Sequence, residues 1–224
     1  MSVTVLLSPS EIFHEAWQQS QIKKPVIILI GGYAGTGKST LATQLAKQLN
    51  YAQIIPTGIF RSIAQTQTTA NQNPALFLPT YDLDTLGDHS EASIRDAYIA
   101  QCQPVETIIK SVINFMAIEK QHLIIEGNHV LPWEDYTHTD CTIIELYLYV
   151  DDEQKHRAML GGVTHNRQIS QQQFKTGRVI DKLIRKEALA QHKQLFESAD
   201  VGKIASEYVE AKLAEALKTE GVDL

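Results

Sequence analysis

Hydrophobic positions along this chain follow two patterns, unbroken apolar runs and a four-residue step. Residues 26–30, Val-Ile-Ile-Leu-Ile, form an unbroken apolar run of the kind a strand buried on both faces shows. Leu41, Leu45 and Leu49 follow at four-residue steps, the spacing of one helix face. A second strand is predicted over 52–56, and Thr57 is placed to cap a helix carrying Arg61 and Ile63. Residues 67–89 are rich in Gln, Asn, Thr and Pro with little periodicity and read as a long connection. Residues 90–119 carry an apolar stripe through Ile94, Tyr98, Val105, Ile109 and Val112, predicting a helix that Pro104 should kink or interrupt. Further strands are predicted over 122–126 and 143–150.

A helix should begin at Asp151 and break near Gly161-Gly162. A polar, basic stretch runs from there to Arg178, followed by a helix over 179–198. A short last strand over 201–204 and a terminal amphipathic helix to Leu217 complete the pattern, and a short helix over 9–19 precedes the first strand. Strands alternating with helices imply an α/β fold with a mainly parallel sheet. The 224 residues suit a single domain. Residues 1–24 would be an N-terminal extension, and residues 155–178 approximately a small helical, basic lid.

Between the first strand and its helix lies Gly32-Tyr33-Ala34-Gly35-Thr36-Gly37-Lys38-Ser39, followed by Thr40. It fits G-x-x-x-x-G-K-[ST], and the flanks supply the strand and helix that this P-loop motif requires. The fold expected is therefore the three-layer sandwich of P-loop NTPases. Loop N–H groups from Gly32 to Thr40 can wrap a nucleoside triphosphate at a helix N-terminus. Lys38 should reach the β- and γ-phosphates, and Ser39 should coordinate Mg²⁺.

Glu126 closes a buried apolar strand, a position that lines the ligand crevice and suits a Walker-B-like acid for Mg²⁺; pairing with a nearby base is the alternative. His129, three residues on, is a candidate substrate contact. Arg157, Arg167 and Arg178 lie in the second concentration of positive charge, with His165 and Lys175. Arginines delivered by a mobile lid would stabilise a transferred phosphoryl group. Arg157 also stands four residues after Glu153, the spacing of a helical ion pair. Arg61 sits one turn into the helix after the second strand, a region that in P-loop kinases faces the phosphate acceptor; a surface ion pair is the alternative. Asp82 and Asp84 are candidates for a base or a substrate-hydroxyl contact, or else serve as cap and turn residues.

Composition narrows the partners. A net charge of −6 argues against broad binding to nucleic acid or anionic membranes, and leaves room for a small basic pocket holding an anionic acceptor. No run approaches the ~20 apolar residues of a membrane span. Residues 1–24 lack the basic start and apolar centre of a signal peptide. Cys102 and Cys141 are expected to be reduced and buried, and the cytoplasm is the expected location. No histidine and cysteine spacing points to a metal site of that type.

Taken together, these segments resemble the 2-phosphoglycerate kinases. The resemblance rests on Gly31-Gly32 with Gly37-Lys38-Ser39-Thr40, on Thr57 with Arg61, on residues 123–132 (Leu-Ile-Ile-Glu-Gly-Asn-His-Val-Leu-Pro), and on residues 150–157 (Val-Asp-Asp-Glu-Gln-Lys-His-Arg). It implies a kinase using ATP and Mg²⁺ to phosphorylate a hydroxyl of 2-phosphoglycerate. One departure is Gly58, where the family usually has Asp; its task would be vacant or moved to Asp82 or Asp84. Two other expectations stay open. One is a P-loop kinase of an inositol phosphate, a nucleoside or nucleotide, or an activated sugar, as in zeta-like toxins. The other is a catalytically weak nucleotide-binding switch.

Overall fold

The computed structural model describes residues 7–50, 53–161, 168–198 and 201–223. Among these residues, five parallel strands form one sheet in the order β2-β3-β1-β4-β5. They are β1 (Val26–Gly31), β2 (Ile54–Pro56), β3 (Leu123–Gly127), β4 (Thr142–Tyr149) and β5 (Leu195–Glu197). β1 is buried throughout and lies between β3 and β4, with Ile30 opposite Glu126 and Leu146.

The period of two divides its side chains between two cores. Ile27 and Leu29 pack with α3 (Thr57–Gln65), α4 (Pro74–Phe77), α5 (Glu91–Ile118) and α7 (Gln171–Ala190). Val26, Ile28 and Ile30 pack with α1 (Pro9–Gln18), α2 (Lys38–Gln48) and α8 (Val201–Thr219). Each such fully buried aliphatic side chain contributes about 1.5–3 kcal/mol. A sheet between two helix layers around a P-loop is the P-loop NTPase fold that the strand and helix pattern predicts.

α1 starts at a capping box, with Ser8 and Glu11 bonding reciprocally to the backbone and Pro9 at the first helical position. It is held to α8 by Ser10, whose backbone N–H and hydroxyl both donate to Glu210. No helix among the described residues is long and apolar enough to cross a membrane.

The structure departs from the sequence pattern at four places. Pro104 does not interrupt α5, which runs 28 residues. A proline leaves the carbonyl four residues earlier without its helical donor; here Asn73 Nδ2 donates to that Ala100 oxygen at 2.9 Å. Residues 67–89 are not a bare connection: they contain α4 and a 3-10 turn, Thr80–Leu86. Residues 171–178 of the basic stretch are already helical, because Ser170 and Gln173 form a capping box that starts α7 at Gln171. α7 ends early through His192, at φ 53°, so the last strand is residues 195–197 and not 201–204. Residues 201–204 open α8 instead, whose buried Ala205, Val209, Leu213 and Leu217 keep the four-residue step.

Candidate active site

The glycines of the loop allow it to turn tightly against its neighbours. Gly32 adopts φ +133°, and a Cβ there would lie 2.3 Å from the Leu148 carbonyl oxygen. Gly37 stands at the N-cap of α2 with φ 87° and no side-chain cap. The first-turn N–H groups of α2 therefore lack a side-chain acceptor, the arrangement that receives an anion at a helix start. Lys38 is buried at the floor. Its Nζ donates to the Tyr33 carbonyl at 2.6 Å, and Thr36 Oγ1 donates to the same oxygen at 2.9 Å. Burial pulls the Lys38 pKa down to about 8, against the opposing charges of Glu126 and Asp181.

β3 runs beside β1 and ends at the same level, which brings Glu126 to the start of α2. Ser39 Oγ donates to Glu126 Oε1 at 2.9 Å. These are two hard oxygen ligands of the kind Mg²⁺ takes, next to the phosphate cradle. The backbone then turns at Gly127, φ +152°, where a Cβ would meet Thr57 Oγ1 at 1.8 Å. That close approach joins the β3 turn to the first residue of α3.

A buried polar chain runs from this point. Gln101 Nε2 donates to the Ala75 and Leu78 carbonyls at 2.7 and 2.9 Å, so its Oε1 is the acceptor. Thr80 Oγ1 donates to that Oε1 at 2.9 Å, and His129 Nε2 lies 3.4 Å from it. His129 Nε2 therefore carries the proton, and Nδ1 accepts from Thr57 Oγ1 at 3.0 Å. Burial, with Arg61 and Lys38 nearby, drives the His129 pKa to about 3, so the ring is neutral at pH 7. Arg61 Nη1 donates to the Leu78 carbonyl at 3.1 Å.

One cleft of about 740 Å³ is lined by Lys38, Ser39 and Glu126 beside Thr57, Gly58, Arg61, Thr80, Tyr81, Asn128, His129 and Met159, with Gln101 buried behind it. Ala34, Gly35, Gly37 and Thr40 of the loop also line it, while Thr36 is fully buried beneath. Gly58 opens onto free space, with nothing within 4 Å of a Cβ built there.

Other candidates stand elsewhere. Asp82 accepts from Gln173 Nε2 at 2.8 Å. Asp84 accepts from Gln172 Nε2 at 3.0 Å and faces His89 at 3.1 Å. Both tie the 3-10 turn to its surroundings and neither lines the cleft. Arg157 of α6 (Glu153–Leu160) stacks on the Phe174 ring at 4.1 Å and donates to Gln171 at 2.5 Å. Glu153 pairs instead with Arg178 Nε at 3.7 Å. Arg178 is buried and donates to the Val150 and Asp151 carbonyls at 2.6 and 3.1 Å and to Asp181 at 3.2 Å. Arg167 and His165 lie outside the described residues. Burial raises the Asp181 pKa to about 6, against the pull of Arg178 and Lys38.

Sequence reasoning passed over Gln101, Thr80 and His156. Gln101 and Thr80 carry no motif. His156 sat in view, beside Arg157.

No family model matches the chain. The 2-phosphoglycerate kinase of Pyrococcus horikoshii is 32% identical over 114 residues, 50% of this chain and 38% of that protein. Those of Methanococcus vannielii and Methanocaldococcus jannaschii are 29% and 26% identical over 151 and 144 residues, each 63% of this chain and 48% and 47% of theirs. The chain is thus similar to proteins of that name and spans about half of their length or less. Among solved structures, that of TT1252 from Thermus thermophilus superposes with a TM-score of 0.51 at 16% identity, covering 85% of this chain and 99% of that one. At that identity the likeness concerns the fold.

Proposed function

We propose that this chain is an ATP- and Mg²⁺-dependent kinase that transfers the γ-phosphoryl group to a hydroxyl of a small, phosphorylated metabolite, with 2-phosphoglycerate as the first candidate. One observation carries the reading. The P-loop serine and the acid at the end of β3 meet at 2.9 Å in a cleft that Lys38 and Arg61 also line. The relatives named 2-phosphoglycerate kinase add support for the acceptor.

In this reading the loop N–H groups and Lys38 bind the β- and γ-phosphates. Ser39 and Glu126 would hold Mg²⁺, which when bound offsets the negative charge of the phosphates. Arg61 receives the anionic group of the acceptor and brings its hydroxyl in line. His129, neutral and hydrogen-bonded at both nitrogens, orients Thr57 and does not neutralise phosphate. Glu126 is the one carboxylate among the described cleft residues, so once it serves the metal no separate base lines the cleft. A loose phosphoryl-transfer transition state is served by positioning and charge, and this is compatible with Gly58. Arg157, Arg167 and Arg178 belong to the proposed lid over residues 155–178; Arg178 would have to exchange a carbonyl for phosphate to act directly. An acidic protein with a small basic cleft fits a small anion as partner and speaks against nucleic acid or a membrane surface. The cytoplasm is the proposed place of action.

The test is a panel with ATP and 2-phosphoglycerate, inositol phosphates, glycerate, inositol and nucleosides at one concentration, read by mass-shifted product. Phosphorylated acceptors should exceed their neutral parents. Preference for a nucleoside would reject the anionic acceptor while leaving a kinase. Tight ATP binding with no acceptor turned over would favour a nucleotide switch.

A further inference from the structure

His156 lies outside the cleft, and the chemistry above makes no use of it. It is fully buried on α6. Burying an imidazole is costly unless its nitrogens find partners. Both do. Nε2 is 2.8 Å from the Ala34 carbonyl oxygen of the P-loop, and Nδ1 is 3.0 Å from Arg178 Nη1. A guanidinium only donates and a carbonyl only accepts, so the ring is the neutral Nε2–H tautomer. Burial and the charges of Arg178 and Lys38 favour that neutral form, lowering the pKa from its ordinary value.

The bond orients a peptide of the phosphate loop. The Ala34–Gly35 peptide is planar and trans, so its carbonyl and the Gly35 N–H point in opposite directions. Fixing the carbonyl against α6 therefore fixes the direction of that N–H. Gly35 itself touches α6, since a Cβ there would lie 2.8 Å from Leu160 Cγ. One residue before Ala34, Tyr33 packs on α7: a Cβ on Gly177 would lie 2.5 Å from Tyr33 Cε1. The Tyr33 carbonyl is the one to which Lys38 donates. A glycine-rich loop is conformationally permissive, and an anion nest needs successive N–H groups that converge. Here two successive loop residues take their orientation from the helices after β4.

We infer that His156 is a positioning residue for nucleotide binding: its Nε2–H holds the Ala34 carbonyl, and with it the Gly35 N–H, in the orientation the triphosphate cradle requires, while Arg178 sets the tautomer. The inference rests on the reading that this loop takes nucleotide phosphate.

Two substitutions separate the two bonds. His156→Gln places an amide N–H near Nε2 and keeps the donor to Ala34. His156→Asn places a carbonyl oxygen near Nδ1 and keeps the acceptor for Arg178. The full chain is measured by calorimetric titration with Mg-ATP and by thermal unfolding. His156→Asn should weaken ATP binding about five- to tenfold, the worth of a lost hydrogen bond, and His156→Gln should stay within roughly twofold of wild type. The two melting temperatures should be similar. Equal affinity in both variants, or affinity that follows melting temperature alone, overturns the inference while the nucleotide reading stands. No ATP binding by the wild-type chain overturns both. Histidine ¹⁵N spectra of the wild-type protein need no variant: protonation at Nε2 at pH 7 is expected, and an Nδ1–H tautomer overturns the proposal.

Discussion

Replacing Lys38 by methionine removes a charge and keeps the length and apolar stem of the side chain. The lysine is 6% exposed, and burial draws its pKa from 10.5 to about 8. At about 1.4 kcal/mol per pH unit, the folded chain carries roughly 3 kcal/mol of unfavourable charge burial at pH 7. The sign follows from linkage. Below pH 8 the lysine is charged in the folded and unfolded chain alike, so the penalty is fully present. It fades as pH rises from 8 toward 10.5, where the folded chain loses the proton first.

Methionine also loses the bond to the Tyr33 carbonyl, but that oxygen keeps Thr36 Oγ1 at 2.9 Å, so the loss is about 1 kcal/mol. The net expectation is a gain of roughly 2 kcal/mol, or about 4–8 °C in Tm for a chain of this size. The assay is thermal unfolding at pH 7 with and without Mg-ATP, beside a phosphoryl-transfer assay. Lys38→Met should melt higher without ligand, gain less from Mg-ATP and transfer no phosphate. A lower Tm without ligand would refute the charge-burial argument. An undiminished response to Mg-ATP would refute the placement of Lys38 at the phosphates.

Glu126→Gln is nearly isosteric and should lower kcat roughly 100-fold, the scale for losing one preorganised electrostatic group, with a smaller change in ATP affinity. Unchanged activity and Mg²⁺ dependence would make Glu126 structural. Arg61→Ala should raise the acceptor KM roughly tenfold, as for a charge-assisted hydrogen bond, with little effect on the KM for ATP; equal effects on both would place Arg61 outside the acceptor site. Stability should fall as pH drops below about 6.5, because His129 and His122 are held neutral with pKa values of about 3 and 4 and unfolding lets them take up protons. Each adds about 1.4 kcal/mol per pH unit to that loss. Asp181, raised to about 6, opposes it between pH 6 and 4. Thermal unfolding from pH 7 to 4.5 reads the slope, and His129→Gln should make it shallower.

The candidate site was legible to different depths at different residues. Lys38, Ser39 and Glu126 were visible because local pattern constrains them: a glycine motif between a strand and a helix, and an acid closing an apolar run. Arg61 and His129 were visible only as polar residues near strand ends, and the structure brings both to the cleft. Asp82, Asp84, Arg157 and Arg178 carry the same chemistry in sequence, yet glutamines, a phenylalanine ring and backbone carbonyls occupy them. A formal charge does not reveal which partner has already taken it.

The sequence by itself determined what depends on neighbours a few residues away. Unbroken apolar runs and a four-residue step set the strands and helices, glycines at 32, 35 and 37 permit the loop's positive φ angles, and Ser8 with Glu11 starts α1. Tertiary structure decided what depends on residues distant in the chain. It set the strand order that carries Glu126 to Ser39 across 87 positions. It let Asn73 satisfy the carbonyl that Pro104 strands, and so kept α5 whole. It brought His156 to the Ala34 carbonyl across 122 positions. The physical reason is that a buried donor or acceptor must be satisfied by whatever the packing places within about 3 Å, and a local pattern carries no record of a partner so far away.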